Sequence, residues 1–62
     1  MTNSEYISAL KLLIDSAISV GRAWLWNDSH IMDTLTDENG FGLTYDDFVM
    51  AGVKEMADEY FH

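Results

Sequence analysis

Apolar residues recur along the first part of the chain at alternating intervals of four and three. Tyr6, Leu10, Leu13, Ala17, Val20 and Trp24 fall at that spacing on one face of a helix. A second row, Ile7, Ile14, Ile18 and Leu25, runs beside it, and Ala9, Leu12 and Ala23 lie on the other flank. Only Ser8, Lys11, Asp15, Ser19 and Arg22 form a polar strip. The apolar arc covers roughly two thirds of the helix, against the ~100° stripe of an ordinary surface helix. Such a helix needs neighbours on more than one side, which the short remainder of the chain need not fully supply.

Start and stop signals divide the chain into three predicted helices, over about 3–26, 29–36 and 45–61. Thr2 and Glu5 stand as the two halves of a capping box, with Met1 and Tyr6 placed as a hydrophobic staple. Asn27, Asp28 and Ser29 stop the first helix and can cap a short second one that carries Ile31, Met32 and Leu35. Residues 37–42 (DENGFG) read as a loop. Thr44 caps the third helix with Asp47 three residues on, and Leu43 and Phe48 are its staple. Its inward face is Tyr45, Val49, Gly52, Val53, Met56 and Tyr60, with Asp47, Lys54, Glu55 and Asp58 turned to water. Gly21 and Gly52 both fall on apolar faces, where the absence of a side chain suits a close helix crossing. Trp24 continues the main stripe of the first helix. Trp26 either tucks inward as that helix ends, the preferred reading, or stands out as an anchor for a partner. The expected fold is an all-α, small three-helix bundle in a single helical domain over residues 1–62.

Composition narrows the function classes. The chain has 62 residues and no cysteine, so neither a disulfide framework nor a thiolate metal site can staple its small core. Association, with itself through the first helix or with a partner, is the remaining staple. There is no proline to break a helix, no basic start typical of a secretory leader, and no apolar run of the ~20 residues a membrane span needs. A cytoplasmic location is expected by default, in the host cytoplasm if the protein is viral. The net charge of -8 is lopsided: residues 31–62 hold eight acids against Lys54 alone. That half repels phosphate and anionic lipid, so direct nucleic-acid or membrane binding is not expected, whereas a basic protein surface is attracted.

No catalytic constellation is legible. The serines lie near caps or on the polar face, His30 and His62 are far apart in sequence, and no phosphate-binding glycine loop occurs. Asp46 and Asp47 are adjacent, so on a helix they diverge by ~100° and cannot share a proton. The expectation is a protein that is not an enzyme and holds no cofactor. Asp46, Asp47, Glu55, Asp58 and Glu59, with Trp26, are the candidate partner-binding residues. Asp33, Asp37 and Glu38 extend the same acidic half.

Residues 37–48 also resemble an EF-hand calcium loop one residue short. Asp37 and Asn39 match its first and third ligand positions, Gly42 its turn glycine, and Asp47 the place of its bidentate glutamate. The resemblance implies a calcium site on Asp37, Asn39 and Asp47. Phe41 departs from it, standing where an oxygen ligand belongs. In composition, the chain resembles the acidic phage-encoded inhibitors that occupy nucleic-acid sites on host enzymes. That likeness implies an inhibitor or regulator whose carboxylates imitate a row of phosphates. The alternative is a self-associating structural or adaptor module built on the broad face of the first helix.

Overall fold

The computed structural model describes residues 2–62 and contains four helices and no strand among them. They are α1 (Asn3–Ala23), α2 (Asp28–Thr36), α3 (Tyr45–Met50) and α4 (Lys54–Tyr60). The all-α expectation holds; the count of three does not, because the third predicted helix is two. The expected Met1–Tyr6 staple involves Met1, which lies outside the described residues.

The helix starts follow the capping residues. Glu5 N–H donates to Thr2 Oγ1 at 3.2 Å, and Thr2 N–H donates back to the Glu5 carboxylate at 3.4 Å. His30 N–H donates to Asn27 Oδ1 at 2.7 Å and opens α2. At α3 the Asp47 carboxylate accepts from both the backbone N–H and the hydroxyl of Thr44, at 2.9 and 3.2 Å.

Two helix ends share one backbone motif. At the end of α1, Trp26 N–H donates to Gly21 O and Leu25 N–H to Arg22 O, a Schellman pair. At the end of α3, Val53 N–H donates to Phe48 O and Gly52 N–H to Val49 O in the same register. The motif needs one residue in the left-handed region. Gly52 supplies it at φ 82°, and Leu25 at φ 64°. A methyl group built on Gly52 would meet nothing within 4 Å, so this glycine serves backbone geometry and not the close crossing its position suggested. Gly21 does mark a crossing: a Cβ there would lie 2.5 Å from Ile31 Cγ1.

The break at residues 51–53 rephases the chain. Phe48, expected as a staple residue, is fully buried with Ala51 and Ala57, while Val49 is exposed and Tyr45, Val53, Met56 and Tyr60 sit half-buried around them. Leu10 and Ile14 from α1, with Ile31, Met32 and Leu35 from α2, complete the core. The expected main stripe of α1 is therefore not the buried one. Leu10 is buried, Leu13 and Ala17 are half-buried, and Tyr6, Val20 and Trp24 are exposed. The helix ends at Ala23, earlier than expected, and Trp24 is 72% exposed.

The four helices close a ring. α1 packs on α2 and α3, α4 packs on the same two, and α1 and α4 do not pack on each other. At ~1.5 Å per residue, α1 runs nearly the whole 34 Å long axis of the molecule, with the shorter helices gathered on one side.

The two Schellman ends predict opposite mutational signs. Leu25→Gly relieves a left-handed non-glycine residue that buries nothing, and should stabilise by about 1 kcal/mol. Gly52→Ala imposes that strain and should destabilise by about 1–2 kcal/mol. Thermal melts of the two variants should move the midpoint up and down by roughly 4–8 °C per kcal/mol.

Candidate functional site

All three tyrosines donate their phenol O–H to an aspartate on another helix. Tyr6 of α1 reaches Asp47 of α3 at 3.3 Å, and Tyr45 of α3 reaches Asp58 of α4 at 2.5 Å. Tyr60 of α4 reaches Asp33 of α2, with Thr36 Oγ1 also 3.3 Å from its oxygen. These ties follow three sides of the ring; the fourth, between α1 and α2, is the Gly21–Ile31 contact. Three of the eleven acids are thereby committed to holding helices together.

Asp58 is the most heavily used. Its carboxylate also accepts from Lys54 Nζ at 2.7 Å. The bond from Lys54, then that from Tyr45, holds Asp58 below the usual carboxylate value. The same bonds to Asp58 raise Lys54 and Tyr45 above theirs. Tyr6 is also raised, first by repulsion from the Asp47 charge.

The acidic surface has no spare cations to balance it. Lys11 pairs with Asp15 at 3.6 Å, Arg22 with Asp28 at 3.8 Å and Lys54 with Asp58. Among the described residues every lysine and arginine is thus committed. Among the described residues, eight carboxylates carry no ion pair to a lysine or arginine, and seven of them lie in residues 31–62.

The gap where α1 and α4 fail to meet is an open groove of about 720 Å³. Ile18, Val53 and Met56 contribute apolar surface; Asp15, Asp28, Glu55 and Glu59 contribute carboxylates, with Arg22 and Lys54 among them. A smaller hollow of about 260 Å³ shares Asp28, Met56 and Glu59 with it.

The candidate residues therefore separate. Glu55 and Glu59 line the groove, and Asp46 is exposed at the start of α3 with no ion pair. Asp47 and Asp58 serve as ties between helices. Trp26 lies outside the groove, packed over Gly21 and edge-on to the His30 ring at 4.4 Å, and is 40% exposed. The groove itself was not expected, since it arises from the break before α4.

The calcium-like loop folds around its own backbone. Asp37 Oδ1 accepts from Asn39 N–H at 2.9 Å, and Asp37 O accepts from Gly40 and Gly42 N–H. Asp47 caps α3. Among the described residues no three His, Cys, Asp or Glu side chains are grouped as metal ligands would be. No helix among them is long and apolar enough to cross a membrane. In comparisons with known proteins, no family model, no curated protein and no solved structure matches the chain.

Two measurements follow. Asp58 is depressed, so its contribution to stability is present above its ordinary value of 3.8 and is lost as pH falls through the lower folded value. Those of Tyr45 and Lys54 are present below 10.0 and 10.5 and are lost as pH rises through the higher folded values. Carboxyl titration by NMR should place Asp58 below its usual range, and Tyr45→Phe should move it back up. Calcium at about 5 mM, above the range of weak extracellular modules, should leave the amide spectrum of residues 37–48 unchanged.

Proposed function

We propose that the protein is a non-catalytic binding module that docks its acidic half on a basic, nucleic-acid-binding surface of a partner protein. The observation that carries this reading is the pairing of every lysine and arginine among the described residues, which leaves eight carboxylates without a lysine or arginine partner. The groove supports it: Ile18, Val53 and Met56 line it together with Glu55 and Glu59, a combination that suits an arginine or lysine, whose aliphatic stem packs on apolar surface while the charged head meets a carboxylate. The mode of action is inhibition or regulation by occupying a surface that otherwise takes phosphates, as the phage-encoded inhibitors it resembles in composition do. Such a partner places the protein in the cytoplasm, that of the host if it is viral.

The test separates charge that binds from charge that folds. A partner captured by the tagged protein from lysate of its source cell should be released as ionic strength rises, binding at least roughly tenfold more weakly at 200 mM than at 50 mM salt. Nucleic acid should compete for the same partner surface. The triple variant Asp46→Asn, Glu55→Gln, Glu59→Gln should keep its helical spectrum and lose most of the binding. Binding indifferent to both salt and these substitutions rejects the reading.

A further inference from the structure

The side of α1 that faces away from the other helices has an arrangement of its own. Ala9, Leu12, Ser16, Val20 and Ala23 are exposed there, with Leu12 at 69% and Val20 at 54%. Their positions are symmetric about Ser16: steps of four lead to Leu12 and Val20, and steps of seven to Ala9 and Ala23. Their sizes are symmetric too, small, large, small, large, small. The charged residues of this stretch, Lys11, Asp15 and Arg22, lie on the groove side, and Glu5 lies beyond its N-terminal end.

We propose that this face is the contact between two copies of the chain, packed antiparallel about a two-fold axis through Ser16. A two-fold interface brings one patch onto itself. Here that operation sets Leu12 of one copy against Val20 of the other, Ala9 against Ala23, and Ser16 against Ser16. The small residues let the helices approach and the large ones fill the space between.

Two observations besides the symmetry favour a second copy as the occupant. This is a charge-free stretch on a protein of net charge -8, so two copies can meet here with their acidic halves turned outward. The surface of 4447 Å² exceeds the ~4,000 Å² that size scaling gives a compact monomer of this mass, and Leu12 and Val20 are among its exposed large hydrophobic side chains. This inference is independent of the acidic docking surface, whose α1 residues, Asp15, Ile18 and Arg22, lie on a different flank of the helix.

One helix face makes a small interface, so association is expected at micromolar concentrations, on the order of 10–100 μM. Sedimentation equilibrium up to about 1 mM, in enough salt to screen the charge, should show a monomer–dimer equilibrium. Val20→Glu and Leu12→Glu alter exposed positions. Each should keep the helical spectrum by circular dichroism and weaken the dimer at least roughly tenfold, a burial penalty typical of an unpaired carboxylate. Ser16→Cys should oxidise readily to a covalent dimer. Ala9→Cys and Ala23→Cys should cross-link efficiently only when mixed. A protein that stays monomeric throughout overturns the proposal, as does a dimer that both glutamate variants leave intact. Ala9→Cys forming homodimers as fast as Ser16→Cys would overturn the antiparallel axis.

Discussion

The hydrogen bond from Val53 N–H back to Phe48 O sets the geometry of the second half of the molecule. It closes α3 after six residues and turns the chain through Gly52. Only then can α4 fold back so that Phe48, Ala51 and Ala57 all reach the core. In a continuous helix, at ~100° per residue, Ala57 would point to the side opposite Phe48 and leave the core. With only eight buried hydrophobic side chains among the described residues, the core cannot spare one, which is why one left-handed glycine matters more here than it would in a larger domain.

Local signals were the most legible part of the fold. The capping residues Thr2, Asn27 and Thr44 marked the helix starts because a cap depends only on side chains within three positions. The close approach at Gly21 was legible for a similar reason, as a gap in an apolar face. Gly52 presented the same gap, yet its function is conformational; sequence alone does not separate a glycine that admits a neighbour from one that bends the chain. The buried face of α1 was misread because apolar residues surround most of that helix. With two adjacent rows to choose from, periodicity cannot decide which one the partners cover. The lopsided charge was plain from the sequence, and the Lys54–Asp58 pair lies at a spacing of four that a helix brings together. The tyrosine ties of Asp33 and Asp47 were not, since they join residues 27 and 41 positions apart. Those ties decide which carboxylates remain available to a partner.

The protein divides its surface by side. One side of α1 is charge-free and apolar, the opposite side packs into the core, and a flank between them borders the carboxylate-lined groove. The crosslinks that hold the ring depend on neutral phenol donors, which leaves the few cations to balance local acids. An acidic protein with so few lysines and arginines can keep its helices joined in this way without surrendering its net charge.

α4 contributes one fully buried residue, Ala57, to the core and is otherwise held by half-buried side chains and by Tyr45 and Tyr60. Its amides should therefore be among the first to exchange with solvent, because opening it exposes little apolar surface. Since α4 is also one wall of the groove, the width of that groove is the softest coordinate in the structure. An opening bounded by the lightly buried α4 on one side and by α1, which buries Leu10, Ile14 and Gly21, on the other is built to yield at α4 first when side chains of different bulk enter.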